Sequence, residues 1–137
     1  MIVIICDGSS RGNPGPASIG VVIWERFGSS RQRISKPTRT IRKDIGVATN
    51  MVAEMTAINE SIYYVCKKKY TDNVFIYSDS QVIVKIINGE WQAKHKDIKT
   101  LMKQYDLLMT DCHASVTISW VPRQLLYLAD KAATGRR

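Results

Sequence analysis

The chain has 137 residues, 45% of them apolar, and a formal charge of +8 from 20 basic and 12 acidic side chains. That is enough apolar material for one buried core, and a single domain over residues 1–137 is expected. No stretch nears the ~20 apolar residues of a membrane helix, no charged-then-apolar leader opens the chain, and three cysteines without CxxC or CxxH spacing argue against a disulfide framework or a zinc site. A reduced, cytoplasmic setting without membrane contact is the expectation, although a Cys66–Cys112 bridge stays open.

The first apolar run, Ile2-Val3-Ile4-Ile5-Cys6, is continuous rather than alternating. It reads as a strand over 1–7 buried on both faces and closed by Asp7. Gly12-Asn13-Pro14-Gly15-Pro16 is a turn-rich loop. Ile19 to Phe27 reads as the second strand, and Gly28-Ser29-Ser30 as a turn into a third over roughly Arg31 to Ile41. Thr49 or Asn50 caps a helix to about Lys69, with Met51, Met55, Ile58, Ile62 and Val65 as its apolar stripe. At 100° per residue, Glu54 falls about 60° from the centre of that stripe, at the edge of the buried face.

Val74 to Ser78 is a fourth strand, closed by Asp79. It follows the first strand's sheet through a helix, so the two are expected to be parallel. A short helix over Gln81 to Asn88 ends at Gly89, and a longer one covers about Asp97 to Asp111. Ser115 to Val121 alternates as a fifth strand stopped by Pro122, and Leu125 to Thr134 reads as the last helix, carrying Asp130. No repeat or low-complexity segment interrupts this order. If the first and fourth strands are parallel neighbours, Asp7 and Asp79 emerge at one sheet edge, where open α/β sheets place their sites.

Four acids on rigid elements then face one region: Asp7, Glu54, Asp79 and Asp130. Such a cluster is costly unless cations neutralise it, and hard divalent ions such as Mg²⁺ suit an all-oxygen set. The basic residues cluster as well: Arg31, Arg33, Lys36, Arg39, Arg42 and Lys43, then Lys67-Lys68-Lys69, then Lys94, Lys96, Lys99 and Lys103. Positive patches around an acidic centre suit an enzyme that grips a phosphate backbone and cuts it.

Four motifs in register carry a family resemblance across essentially the whole chain. Asp7-Gly8-Ser9-Ser10-Arg11-Gly12-Asn13-Pro14-Gly15-Pro16, Thr49-Asn50 with Ala53-Glu54, Ser78-Asp79-Ser80-Gln81, and Trp120-Val121-Pro122-Arg123 with Ala129-Asp130 resemble type 1 ribonuclease H. The variant is the compact one without a basic protrusion, since Asn88-Gly89-Glu90-Trp91 runs almost directly into the next helix. The resemblance implies an α/β ribonuclease H-like fold: a five-stranded mixed sheet, the first three strands antiparallel and the rest parallel, flanked by helices. It implies hydrolysis of the RNA strand of RNA–DNA hybrids to 5′-phosphate and 3′-hydroxyl ends. Asp7, Glu54, Asp79 and Asp130 would be both catalytic and metal-binding, holding two Mg²⁺ ions, with Mn²⁺ as a substitute, about 4 Å apart. Asp7 would bridge them, Glu54 and Asp79 serving the leaving-oxygen side and Asp130 the attacking water. Substrate contacts would come from Gly8, Ser9, Ser10, Asn13, Thr49, Asn50, Gln81 and Arg123, with glycine and short side chains admitting backbone to the minor groove and its 2′-hydroxyls. A monomer is expected, with a partner protein left open.

The chain departs from the family pattern in three places. Met51 stands where many members have a second asparagine. Gln124-Leu125-Leu126-Tyr127-Leu128 is apolar where the family is polar, so that it packs inward or meets a partner. No histidine follows the fifth strand; His95 and His113 read as surface residues, and Arg123 takes any auxiliary role. Three rivals share the fold: a hybrid-binding module without chemistry, which would be free to lose an acid; a resolvase- or transposase-type nuclease, which lacks these motif contexts; and a domain cut from a reverse transcriptase, against which Met1 directly before the first strand favours a free-standing protein.

Overall fold

The structure is a computed structural model, described here for residues 1–25 and 37–127. One five-stranded sheet has the order β3-β2-β1-β4-β5. Its strands are β1 (Ile2–Ser10), β2 (Gly15–Trp24), β3 (Arg39–Ala48), β4 (Asn73–Ser78) and β5 (Ser115–Trp120). Helix α1 (Asn50–Lys67) links β3 to β4, α2 (Gln81–Ile87) and α3 (Lys96–Asp111) link β4 to β5, and a 3₁₀ turn covers Arg123–Leu126. β1, β2 and β3 pair antiparallel, while β1–β4 and β4–β5 pair parallel. The expected mixed sheet is thereby observed.

Alternation along β1 divides the core. Ile2, Ile4 and Cys6 face the helices, with Met55, Ile58, Ile62 and Val65 of α1 packed over them and Ile98 of α3 beyond. Val3 faces the other way, against Val22 and Trp24. Burial on both faces is why the run is continuously apolar. Met51, expected in the α1 stripe, is exposed instead, in the first turn of the helix.

Four element boundaries differ from expectation. β1 runs to Ser10 and β2 begins at Gly15, because the antiparallel ladder continues to Ser10↔Ala17. Backbone pairing there overrides the turn-like composition. The third strand, expected over Arg31 to Ile41, is Arg39–Ala48, and residues 31–36 lie outside the described segments. β3 pairs on one side only, so it is mostly exposed and charged and shows little apolar periodicity. Its register shifts at Ala17/Ser18, leaving Ile45 as an extra residue beside Gly46 at φ +82°. That bulge bends the edge strand. Of the helix expected over Leu125 to Thr134, Leu125 and Leu126 lie in the 3₁₀ turn, and residues 128–137 lie outside the described segments.

Cys66 and Cys112 are free thiols, so the bridge left open is absent. The Cys66 thiol donates to the Leu108 carbonyl at 3.5 Å. Among the described residues, no helix is long and apolar enough to cross a membrane.

Candidate active site

The parallel register of β1 and β4 brings the first two acids together. Ile5 pairs with Tyr77, so continuing that register two positions sets Asp7 opposite Asp79. Asp7 is buried, at 2% exposure, and one of its carboxylate oxygens accepts from the Gly8 N–H at 2.9 Å. Asp79 lies just past β4, its side chain 8% exposed. Arg123 Nη1 donates to Asp79 Oδ2 at 3.1 Å, and the Trp120 indole N–H donates to the Asp79 carbonyl at 3.1 Å. The turn after β5 therefore grips the end of β4.

Glu54 joins from above, in the second turn of α1. Burial raises its pKa above the ordinary value; a Ser80 hydrogen bond opposes this, the Asp79 charge adds to it, and Arg123 opposes it. Glu54 thus senses both Asp79 and its arginine partner. Cys6, next to Asp7 in β1, feels the same charges. Burial pushes its thiol up to about 12, a hydrogen bond with Ser61 pulls the other way, and the charges of Asp7, Asp79 and Glu54 each push further upward. Three carboxylates are therefore close enough to act on one buried sulfur. Asp130 lies outside the described residues.

Gly8 sets the spacing between β1 and α1. A Cβ there would stand 2.2 Å from the Ala53 carbonyl carbon and 2.5 Å from the Glu54 nitrogen. Gly8 is buried, and its missing Cβ leaves room for the α1 backbone beside it. Glycine lets α1 approach and carries Glu54 toward Asp7.

The expected substrate residues of the hairpin and helix start are bonded to one another. The Ser10 N–H donates to Asn50 Oδ1 at 2.9 Å and the Asn50 N–H to Asn13 Oδ1 at 2.9 Å. The Ser10 hydroxyl donates to the Ala48 carbonyl at 2.7 Å. Thr49 caps α1, its hydroxyl oxygen accepting from the Val52 N–H at 3.2 Å. Ser9 is half-buried at the end of β1, and Gln81 is exposed at the start of α2. Ser80, absent from the expected set, caps α2 by accepting from the Ile83 N–H at 3.3 Å while also bonding Glu54. Its place two residues before an apolar helix run is a cap signal legible in the sequence.

A family model described as reverse transcriptase-like matches residues 5–135. The solved N-terminal RNase H domain of rv2228c from Mycobacterium tuberculosis superposes with a TM-score of 0.84 at 32% identity, covering 98% of this chain and 91% of that one. The chain belongs to this family, as a type 1 ribonuclease H domain. LC11-RNase H1 in complex with an RNA/DNA hybrid superposes on the domain at TM-score 0.85 and 26% identity, covering 98% of this chain and 95% of that one. The curated Bifunctional protein Rv2228c of M. tuberculosis is 35% identical over 132 residues, 96% of this chain. The ribonuclease H domain spans about one third, 34%, of that relative's length.

Among the described residues, no group of three or more acidic, histidine or cysteine side chains is placed to hold a metal ion by itself. The carboxylates of this ribonuclease H domain still suit a hard divalent cation. All the donors are oxygen, and burial together with mutual repulsion leaves negative charge that a cation would relieve. Arg123 supplies only part of that neutralisation, from a side chain 64% exposed.

Proposed function

We propose that the domain hydrolyses the RNA strand of RNA–DNA hybrids, leaving 5′-phosphate and 3′-hydroxyl ends. The observation that carries this reading is the convergence of Asp7, Glu54 and Asp79 at one sheet edge, in a fold shared with a hybrid-bound relative. Asp7, Glu54 and Asp79, joined by Asp130, would hold two Mg²⁺ ions, with Mn²⁺ able to replace them. Ions bound there supply a nucleophilic water and offset charge on the leaving oxygen.

The chain's own residues do the rest. Asp7 and Asp79 are fixed by the sheet, so their carboxylates keep their separation as substrate binds. Ser80 orients Glu54 by its hydrogen bond. Arg123 holds Asp79 and stands exposed beside it, available to a phosphate oxygen. The Ser10–Asn50–Asn13 network braces the hairpin against α1, and Ser9, Ser10, Asn13, Thr49, Asn50 and Gln81 would contact the substrate. Gly8 would meet the substrate through its backbone while also setting the spacing between β1 and α1. Residues 1–137 act as one domain, monomeric and cytoplasmic.

The deciding experiment incubates the protein with end-labelled RNA–DNA hybrid, double-stranded RNA and double-stranded DNA in Mg²⁺, beside Asp79→Asn. Cleavage of the hybrid's RNA strand alone, lost in the variant, is expected. Tight hybrid binding without cleavage in Mg²⁺ or Mn²⁺ would replace this reading with a binding module.

A further inference from the structure

The end of α1 remote from the acids gathers unpaired positive charge. Arg39 opens β3, and its register lies three residues behind Arg42, which is level with Asp7 through Gly20. Lys67, Lys68 and Lys69 close α1, and all three are exposed. The Arg39 guanidinium carbon and the Lys68 ammonium lie 5.9 and 5.7 Å from the centroid of one ring, that of the buried Tyr64. Two cations thus share one aromatic platform. Elsewhere near this edge cations are paired: Arg42 with Asp44 at 3.2 Å, and Lys43 with Glu60. Among the described residues, Arg39 and Lys67 to Lys69 have no acidic partner. The carboxylate beside the cluster, Glu25, accepts a hydrogen bond from Tyr70, whose ring centroid lies 6.2 Å from that of Tyr64.

We propose that Arg39, Lys68 and the flanking Lys67 and Lys69 form a second nucleic-acid contact, holding a single-stranded extension of the hybrid. This rests on the proposed reading of the acid end as the hybrid site. Charge complementarity selects a polyanion, because four like charges held together repel until phosphates neutralise them. Tyr64 lies buried beneath the cations, so the patch grips backbone phosphate rather than stacking bases. Geometry selects a single strand. Helix α1, with 18 residues, spans ~27 Å from the hybrid rim to this patch. A single strand leaving the hybrid can follow the surface to this patch, whereas a duplex, stiff over ~150 base pairs, reaches it only if its axis already points there.

The test compares a blunt hybrid of ~8 base pairs, about 27 Å long at 3.4 Å per pair, with the same hybrid carrying a ~20-nucleotide single-stranded tail, longer than the ~4–16 nucleotides such a contact occupies. Affinity is measured against salt in EDTA for the wild type, for Arg39→Gln/Lys68→Gln, and for Lys99→Gln/Lys103→Gln, which removes equal charge from exposed positions of α3. The wild type is expected to favour the tailed hybrid. The Arg39/Lys68 variant is expected to lose that preference, its log–log salt slope on the tailed hybrid falling by ~1.4 for two single-strand phosphate contacts. Its binding and cleavage of the blunt hybrid should match the wild type, and melting curves verify folding of both variants. No tail preference in the wild type, an unchanged slope, or equal losses in the two variants would overturn the proposal. In a parallel assay with phosphatidylserine vesicles, vesicle binding lost in the Arg39/Lys68 variant while its tail preference stays intact would also overturn it. Failure to cleave any hybrid would refute the catalytic reading while leaving tail binding separately measurable.

Discussion

The two ends of α1 carry charge in opposite ways. At its start, Asp7, Glu54 and Asp79 are largely buried, and hydrogen bonds from Gly8, Ser80 and Arg123 fix them. At its finish, Arg39 and Lys67 to Lys69 are exposed, on long side chains that water solvates. Burial makes the acids sensitive to every neighbour and costly to keep together, whereas exposure makes the cations individually cheap and individually weak. Charge that is expensive to hold points to chemistry, and charge that is cheap to hold points to grip.

The comparison breaks most visibly at Asp79. Asp79→Asn is expected to slow hybrid cleavage by ~10³-fold or more, about 4 kcal/mol of barrier, while hybrid binding persists. A fully active variant in the end-labelled assay would remove Asp79 from the acid set.

Gly8→Ala comes next. Its Cβ would overlap the α1 backbone, and overpacking of this kind costs ~1–3 kcal/mol. A lower melting temperature is expected together with reduced cleavage, because Glu54 moves with the helix. Unchanged melting and activity would show that β1 and α1 separate freely.

Glu54→Gln sharpens the contrast by pH. The folded-state pKa of Glu54 lies above its ordinary value of 4.5, chiefly through burial. Folding therefore favours the protonated form, and stability falls as pH rises from 4.5 through the folded value. Without metal, Glu54→Gln should melt higher than wild type at neutral pH, and the difference should vanish in acid. Melting curves in EDTA across pH test this; a lower melting temperature at pH 7 would show that attraction to Arg123 outweighs burial and repulsion.

Two cysteines report on the two ends. Burial, with added repulsion from the acids, pushes the Cys6 thiol up to about 12, and burial, with Cys112 beside it, pushes Cys66 up to about 11. Both are expected to resist alkylation at pH 8 in the folded protein. Rapid labelling of Cys6, read by mass spectrometry, would mean that the acid end opens. The smallest effect belongs to the exposed Arg42–Asp44 pair: Arg42→Ala should change stability by less than ~1 kcal/mol in denaturant titrations.

Much of this arrangement is legible along the chain. Wherever an element buries a face, its pattern survives in sequence, as in the run from Ile2 to Cys6 or in Met55, Ile58 and Ile62 of α1. The edge strand β3 leaves no such trace, since a strand paired on one side and solvated around it needs no apolar alternation. Met51 fits the helical period but not the burial, because period records direction around a helix and not what packs against each turn. Gly8 is legible as a glycine and illegible as a spacer, because the backbone it touches lies 45 residues away.

The sequence by itself determined the order of elements, the family, and which acids close which strands, because these depend on local periodicity and on residues adjacent in the chain. Only the tertiary structure decided the register in which β1 and β4 pair, that Ser80 and Arg123 attend the acids, that Ser10, Asn13 and Asn50 brace one another, and that Arg39 meets Lys68 over Tyr64. Each of these joins residues brought together by strand pairing or by helix-on-sheet packing, and such long-range contacts are set by the fit of whole elements rather than by any local run.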